Sequence, residues 1–324
     1  MIDRWRAEQK NLLILDAGDL LYPRVSEPVS QDKTKTFNLQ ARAIIEAFNF
    51  MGCDAITVGE DDFLLGKENL LKVLDEAKFP VVSANLLDGE SKATLFRPYV
   101  IKTIENLRIG IFGLSPKPDS QDERFHGLLV GDPKETARKV ISELKETTDF
   151  TVLLSHLGYP KDLELAKELD GINVIVGGHT GINLNYPRIV RNTVILQVAN
   201  RGRYLGRVDL SINDLSQPFV NVKMKDTLQK RLAQIERRLE ELEQNPTKNQ
   251  KNEQIRERFL KHKAETEKIM KTYEEGNKMV NEVVPLRDTI QDNPECQKIL
   301  APYLDQISEH SESSPRSQEA SPAQ

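Results

Sequence analysis

The sequence predicts an α/β fold in which a mixed β-sheet is flanked by helices and is followed by an antiparallel helical hairpin. Up to about residue 180, short apolar runs that are typical of buried strands alternate with segments whose apolar spacing suits helices. Beyond about residue 190, strand-like segments follow one another without a helix between them. From residue 225 onwards, leucine and isoleucine recur at heptad spacing among charged residues.

The predicted elements of the first part alternate regularly along the chain. Strands are expected at 12–15, 55–58 and 80–85, and helices at 33–50 and 67–78. The strand runs are rich in leucine, isoleucine and valine, whereas the helical segments repeat apolar residues every three or four positions. This order favours a sheet with helices packed on its faces.

Further strands and one well-marked helix complete the predicted sheet. A tight turn joins two predicted strands at 99–104 and 108–114. Asp132-Pro133 begins a helix that runs to about residue 145, because aspartate caps helices well and proline suits the first turn. Three short strands are then expected after residue 190, at 193–199, 204–212 and 219–224.

The composition limits the classes of protein that need considering. The 324 residues are enough for one large domain or two, and the net charge of -5 argues against binding a nucleic-acid polymer through a basic surface. Cys53 and Cys296 are the only cysteines, so the sequence has no disulfide framework and no CxxC metal motif. No apolar run approaches the roughly 20 residues of a membrane span, and residues 1–6 lack the apolar core of a signal peptide.

The C-terminal third predicts a helical hairpin and a disordered tail. Two heptad series are separated by Asn245-Pro246-Thr247, where proline ends a helix. We therefore expect an α/β domain at 1–224, a coiled-coil-like hairpin at 225–305 that is available for a partner or self-association, and a disordered tail at 306–324. The first series comprises Leu228, Leu232, Ile235, Leu239 and Leu242, and the second Ile255, Phe259, His262, Thr266, Ile269 and Tyr273. On this spacing His262 is expected to pack within the hairpin.

Two predicted strands each end in a histidine. The apolar run 151–154 leads into Ser155-His156-Leu157-Gly158, and the run 174–176 leads into Gly177-Gly178-His179-Thr180. The carboxyl ends of such strands are where open α/β sheets place their ligands, and imidazole is a common metal ligand. The pair therefore predicts a metal site; the alternative is that one histidine caps its strand and the other packs.

Four short motifs resemble those of the calcineurin-like metallophosphoesterases and, more closely, their 5'-nucleotidase branch. They are Asp16-Ala17-Gly18-Asp19, Gly59-Glu60-Asp61-Asp62-Phe63, Ser155-His156-Leu157-Gly158 and Gly178-His179-Thr180, in the family's order. The segments 81–85 and 201–206 are also similar to stretches of that branch, so the resemblance covers about residues 10–215. It implies that the domain at 1–224 is a metallophosphoesterase-like mixed β-sheet sandwich flanked by helices.

The resemblance also implies a chemistry. Family sites hold two divalent metal ions, with Mn, Zn, Fe or Co as candidates, which clamp a phosphate and activate water. Asp19 matches the bridging carboxylate, and Glu60, His156 and His179 match the positions of metal ligands. Without the histidines, Asp19 would equally suit an ordinary turn. The implied substrate is a small phosphate ester, with a nucleotide as one candidate, and no substrate-binding residue is assigned.

The sequence departs from the family pattern at several points. The family's first Asp-x-His motif is absent, since only eighteen residues precede Asp19. Glu60-Asp61 stands where the family has Asn-His, which makes Asp61 the candidate catalytic residue in place of a histidine that donates to phosphate. The family's Gly-His-Thr-His ends here in Gly181, and the nucleotide-binding C-terminal domain of 5'-nucleotidases is replaced by the hairpin.

Two functions of different classes follow. The first is a divergent metal-dependent phosphoesterase of the 5'-nucleotidase type. The alternative is a catalytically degenerate metallophosphoesterase-fold protein that binds a ligand or partner without hydrolysis. Because the missing first motif would belong to a strand inside the sheet, we also expect the natural protein to begin upstream of Met1. An extended start would supply the second metal's ligands and an export signal to the periplasm or another extracytoplasmic space.

Overall fold

The structure is a computed structural model, and it describes residues 1–9, 11–117, 122–199, 202–244 and 250–313. The helices are α1 Ile2–Glu8, α2 Gln31–Met51, α3 Lys67–Leu74, α4 Pro133–Leu144, α5 Tyr159–Glu168, α6 Lys225–Gln244, α7 Gln250–Glu275 and α8 Pro294–Ser313. The strands are β1 Leu15–Asp16, β2 Ala55–Ile56, β3 Leu86–Asp88, β4 Tyr99–Ile104, β5 Leu107–Leu114, β6 Leu128–Val130, β7 Phe150–Ser155, β8 Val174–Gly177, β9 Arg188–Val190, β10 Thr193–Leu196, β11 Tyr204–Ser211, β12 Phe219–Asn221 and β13 Asn277–Pro285.

A six-stranded mixed sheet forms the centre of the fold. Its strand order is β4-β5-β7-β8-β10-β9, with parallel pairing from β5 to β10 and antiparallel pairing at both edges. The tight turn predicted between the strands at 99–104 and 108–114 joins β4 to β5, and Tyr99 lies opposite Phe112. The predicted α/β fold with a mixed sheet is therefore confirmed.

Both faces of the central sheet are covered, because successive residues of a strand point to opposite sides. Ile111 and Leu154 face a second, three-stranded sheet of order β11-β13-β12, from which Met279 enters the shared apolar core. Phe112 and Leu153 face the other way, in the core that contains apolar residues of α4 and α5. This arrangement is a β-sandwich with helices on its outer face.

A smaller layer carries the first part of the chain. β1 and β2 pair in parallel, and Val81 forms an isolated bridge to Ile56 where the sequence predicts the strand 80–85. Ile45 of α2 and Leu70 of α3 are fully buried against this layer. The parallel pairing brings the segments that follow β1 and β2 to the same edge.

The predicted start of α4 is confirmed. The side chain of Asp132 accepts a hydrogen bond of 2.9 Å from the N–H of Glu135, and Pro133 occupies the first helical position. The carboxylate therefore satisfies a backbone donor that has no partner inside the helix.

Helices α6 and α7 pack side by side in opposite directions. Lys263 of α7 forms an ion pair of 3.0 Å with Glu236 of α6. The hydroxyl of Tyr273 donates to the carbonyl of Asn221, just before α6, at 2.9 Å, so the end of α7 lies beside the start of α6. The heptad seam is incomplete, however. Ile269 is 45% exposed and His262 is also exposed, so a coiled coil is not shown and the expected packing of His262 is wrong.

The region after the hairpin differs from the expectation of a purely helical extension at 225–305. Residues 277–285 form β13, which lies between β11 and β12, and Met279 is fully buried. The alternation of buried and exposed positions at 277–282 has the period of a strand, which the heptad pattern before it obscures. The hairpin thus connects two neighbouring strands of one sheet, whereas the proposed domain boundary at residue 224 stays a prediction.

The expectation of a disordered tail at 306–324 is wrong for its first residues. α8 extends to Ser313 and packs against α2. Leu300, Tyr303 and Ile307 recur at helical spacing and are partly covered, which gives this helix an apolar side. Residues 314–324 lie outside the described part of the chain. None of the described helices has the length and apolar content needed to cross a membrane.

We predict that the hairpin is stabilised chiefly by its buried positions. Ile235→Ala, at a side chain that is 5% exposed, should lower the free energy of unfolding by about 2 kcal/mol. Ile269→Ala is the matched control and should change it by less than about 0.5 kcal/mol. Urea unfolding followed by circular dichroism measures both, and equal effects would contradict the packing described here.

Candidate metal centre

Four loops meet at one edge of the sandwich, each directly after a parallel strand. Asp19 follows β1, Glu60 follows β2, His156 follows β7 and His179 follows β8. Parallel strands direct their carboxyl ends to the same side of a sheet, so motifs far apart in sequence arrive together. The structure therefore brings together the four residues that the sequence predicts as metal ligands.

The backbone of these loops adopts conformations that few residues tolerate. Asp19 and His179 have left-handed φ values of 57° and 66°, and Gly18 has a φ of 93°. A Cβ atom on Gly59 would overlap Asp19 Oδ1 and lie 2.5 Å from His156 Nε2. A Cβ on Gly178 would lie 2.9 Å from His156 Nδ1. The glycines thus leave the space in which the functional side chains sit.

The contacts of His156 with the two carboxylates have the spacing of ligands around one ion, and His179 lies closer to Glu60. His156 Nε2 is 3.0 Å from Asp19 Oδ2 and 3.4 Å from Glu60 Oε2, and His179 Nδ1 is 2.7 Å from Glu60 Oε1. Ligand atoms about 2.1 Å from a cation and separated by angles of about 90–109° are about 3.0–3.4 Å apart. Donor atoms of Glu60, His156 and His179 all lie within 4.8 Å of one another.

Two buried polar atoms at this point lack the partner that buried polar atoms normally have. His156 Nε2 and Glu60 Oε2 make no hydrogen bond, although carboxylate oxygens lie nearby. His156 Nδ1 lies 2.6 Å from the carbonyl of Ala17, which assigns the ring proton to Nδ1 and leaves Nε2 as a free donor of electrons. This donor set fits a divalent transition-metal ion.

The charges of the site favour a cation. Burial opposes charge on the His156 ring, but the nearby carboxylates of Asp19 and Glu60 outweigh it and raise the pKa of His156 to about 11. Burial also opposes ionisation of Glu60, yet its close contacts with the rings of His156 and His179 hold its pKa well below its usual range. In the absence of a metal, a proton on His156 therefore supplies positive charge that a bound cation would otherwise supply.

Asp62 holds the two acidic loops together. Its Oδ1 accepts hydrogen bonds of 2.9 Å from the N–H groups of Leu20 and Leu21, and its Oδ2 accepts from those of Asp19 and Gly59 at the same distance. The side chain is 1% exposed, and burial raises its pKa to about 7 while the backbone donors oppose that shift. One carboxylate thus determines the path of the chain on both sides of the site.

Asp61, the candidate catalytic residue, lies beside the predicted ligands. Its N–H donates to Asp19 Oδ1 at 2.8 Å, and its buried carboxylate accepts a hydrogen bond of 2.8 Å from Arg124 Nη1. Burial and the neighbouring Asp19 raise the pKa of Asp61, while Arg124 opposes this. Asp122 holds the other side of the same guanidinium, through Nε and Nη2.

Behind His179, a polar network fixes the loop after β8. Gln197 Nε2 donates to the carbonyl of Gly178 and to the hydroxyl of Thr180, each at 2.9 Å. Ser155, which precedes His156, donates to the buried Asp162 at 2.5 Å. These contacts hold the two histidine-bearing loops in place.

Sequence reasoning missed Asp62, Arg124 and Gln197. The run of three acidic residues Glu60-Asp61-Asp62 could have revealed Asp62. Three neighbouring carboxylates cannot all point into one site, so one of them must bind something else. No local pattern marks Arg124, which lies 63 residues from its partner Asp61. Gln197 comes directly after β10, as the two histidines come after their strands. That position was the one feature of the sequence that could have indicated a role in the site.

The fold and the site together define the class of protein. The crystal structure of the calcineurin-like phosphoesterase YfkN from Bacillus subtilis is similar with a TM-score of 0.62, at 19% identity, over 96% of this chain and 88% of that one. The crystal structure of a 5'-nucleotidase precursor from Thermus thermophilus is similar with a TM-score of 0.53, at 30% identity, over 65% of this chain and 44% of that one. The chain thus has the calcineurin-like metallophosphoesterase fold.

Curated relatives specify the branch. A 5'-nucleotidase of Vibrio cholerae is 30% identical over 268 residues, which are 69% of this chain and 47% of that protein. The trifunctional nucleotide phosphoesterase YfkN of Bacillus subtilis is 28% identical over 253 residues, 66% of this chain and 17% of that protein. The chain is related to the 5'-nucleotidase family of metallophosphoesterases, although it spans less than half the length of these two relatives. No protein-family model matches the chain.

We predict that Asp62→Asn disrupts the site, although Asp62 is not one of the proposed metal ligands, because it positions the loops that carry them. An amide has one acceptor oxygen, and its NH₂ group would face N–H donors, so about two backbone donors would lose their partner. The free energy of unfolding should fall by about 2–4 kcal/mol, and binding of Mn²⁺ should weaken. Chemical denaturation and metal titration measure the two effects.

The control for this prediction is Asp214→Asn. Asp214 also accepts hydrogen bonds from a backbone N–H and a hydroxyl, both of Ser216, but it does so at the surface. Its substitution should change the free energy of unfolding by less than about 0.5 kcal/mol. An Asp62→Asn variant as stable as this control would show that the four backbone contacts are not needed.

Proposed function

We propose that this chain is a divergent metal-dependent phosphoesterase of the 5'-nucleotidase type. The observation that carries the proposal is the group of unpartnered donor atoms on Glu60 and His156, with His179 and Asp19 at ligand spacing around them. If these side chains served only to stabilise the fold, such buried atoms would be expected to be hydrogen-bonded to one another. Their arrangement around a common point is what a metal ion requires.

Each proposed ligand is held in a defined way. Ala17 orients the ring of His156, Gln197 fixes the loop of His179, and Asp62 fixes the loops of Asp19 and Glu60. A divalent ion in such a site polarises a phosphoryl oxygen and lowers the pKa of bound water. The four donors suffice for one four-coordinate ion, so a second ion needs donors beyond these. The identity of the metal, among Mn, Zn, Fe and Co, is part of the test.

Asp61 is proposed to act at the edge of the site. It stands where the resembling family has a histidine, and its backbone N–H helps to orient Asp19. Its carboxylate is bound by Arg124, so in its ionised form it accepts hydrogen bonds and has no proton to donate. We infer that Asp61 contributes through Arg124 and does not replace the histidine as a donor to phosphate.

The proposed substrate is a small phosphate ester, with nucleotides as the first class to test. The names of the related 5'-nucleotidases and of the nucleotide phosphoesterase YfkN support this choice. An extracytoplasmic location follows only from the resemblance and stays a prediction. Self-association through the hairpin of α6 and α7 has no support from the comparisons and is not part of the proposal.

A ligand-binding protein without hydrolysis is the second candidate. The observation that favours it is the substitution at Asp61, because the acidic side chain in an ion pair lacks the donor that the family's histidine provides. The two functions differ in one measurable property. Both bind a ligand in the same cleft, but only the first cleaves an ester bond.

We predict metal uptake and metal-dependent hydrolysis that both depend on His156. The protein should bind at least one Mn²⁺, Zn²⁺ or Co²⁺ per chain, and His156→Ala should lose that ion because a buried donor is removed. Hydrolysis of AMP, an aryl phosphate and a bis-aryl phosphate should fall by about 100-fold or more in this variant. Elemental analysis and release of phosphate or aryl alcohol give independent readouts.

His262→Ala is the matched control, since this exposed histidine lies on α7, away from the site, and should leave both readouts unchanged. Hydrolysis that persists in His156→Ala would identify a contaminant. Absence of hydrolysis of all three esters would favour the binding protein, and a protein that takes up no metal would contradict the phosphoesterase.

A further inference from the structure

The carboxylates of the site are accompanied by one arginine. Within the described ranges, Arg124 is the only lysine or arginine whose side chain forms an ion pair or hydrogen bond with Asp19, Glu60, Asp61 or Asp62. A phosphate group that enters this site meets several negative charges. A permanently charged guanidinium, which matches phosphate geometry, is the kind of residue that offsets them.

The orientation of Arg124 is set from one side. Asp122 Oδ1 accepts from Nε at 2.9 Å and Asp122 Oδ2 accepts from Nη2 at 2.8 Å, which is a bidentate contact. Asp61 takes one N–H of Nη1 at 2.8 Å. A guanidinium has five N–H donors, so two of them remain without a partner among the described residues.

The position of the guanidinium links it to the proposed metal ligands. Asp61, its partner, is bonded through its own N–H to Asp19 Oδ1 and is the neighbour of Glu60 in the chain. The Arg124 side chain is 28% exposed, whereas that of Asp61 is 7% exposed. The arginine is therefore the outer member of the pair, and solvent or a ligand can reach it.

A purely structural salt bridge is the simpler explanation of this contact, and it accounts for the pairing of Asp61 with Arg124. It does not account for the second carboxylate, since a bidentate contact with Asp122 already neutralises the arginine. Two carboxylates on one guanidinium leave the cluster with an excess negative charge. An arriving anion would therefore compete with one of these two carboxylates for the guanidinium.

We infer that Arg124 is the phosphate-positioning residue of this site, and that Asp61 occupies the guanidinium until a phosphoryl group displaces it. Asp122 keeps the guanidinium in place during the exchange. This inference rests on the proposed function, because it assigns the phosphate contact of the same site. It gives the substitution of the family's histidine by Asp61 a specific consequence: the anion contact passes to an arginine from another loop.

The inference predicts effects of opposite sign for the two members of the pair. Protein loaded with Mn²⁺ and freed of excess metal is titrated with inorganic phosphate by isothermal titration calorimetry at fixed ionic strength. Arg124→Gln should raise the Kd for phosphate by about 10- to 100-fold, the size expected for a lost charged hydrogen bond. Asp61→Asn should lower the Kd severalfold, because it removes both a competitor and a negative charge. Arg124→Lys keeps the charge but lacks the planar set of N–H donors, so its Kd for phosphate should lie between those of wild type and Arg124→Gln.

The matched control is Arg108→Gln. Arg108 forms the same bidentate contact, through Nε and Nη2, with Asp149 at the surface near the start of β5. Its removal should leave the Kd for phosphate within about twofold of wild type. Manganese content is measured for every variant, so that loss of the metal site is distinguished from loss of the phosphate contact.

Three results would overturn the inference. If Arg124→Gln binds metal and phosphate like Arg108→Gln, Arg124 is a structural residue. If Asp61→Asn weakens phosphate binding as much as Arg124→Gln, the intact salt bridge is what matters. Wild-type protein without bound manganese would contradict the proposed function itself, and the metal analysis identifies that case directly.

Discussion

The site depends on the carboxylate of Asp62 and the backbone N–H groups that it binds. Without this contact, the loops after β1 and β2 would have several buried donors and no acceptor for them. The same carboxylate ties the left-handed turn at Asp19 to Gly59, so the strain of that turn is balanced by hydrogen bonds at its base. Asp62 itself does not contact either histidine through a hydrogen bond or ion pair among the described residues. Its role is to place the side chains that do.

The electrostatic balance of the site explains why it is made of these residue types. Asp19 and Glu60 bring negative charge to a largely buried position, which is costly unless positive charge is nearby. His156 provides that charge when it is protonated, and its Nδ1 contact with Ala17 directs the other nitrogen toward the carboxylates. A metal ion would replace the proton and satisfy the atoms that have no hydrogen-bond partner. At the rim of the site, Arg124 supplies the positive charge that lies between the carboxylates of Asp61 and Asp122.

The C-terminal part of the chain is integrated with the sandwich. β12 and β13 are parallel neighbours, and α6 and α7 form the connection between them. Met279 and Phe219 belong to the same core as the central strands β5 and β7, so the hairpin is anchored at both ends by buried residues. α8 then covers α2, on another part of the molecule. The hairpin is accordingly an insertion into the fold and has a defined orientation at its base.

The sequence by itself determined helices α2, α3 and α4, most strands of the central sheet, the turn before β5, the cap of α4 and the four loops that carry Asp19, Glu60, His156 and His179. These features follow from local periodicity, capping and the position of polar residues at strand ends, all of which are visible within a few residues. The tertiary structure alone decided that Asp62 binds the backbone of another loop, that Arg124 pairs with Asp61, and that residues 277–285 enter the sheet beside β11. Those outcomes depend on groups that are 40 or more residues apart, and no local pattern records which distant partner a buried charge or an open strand edge will find.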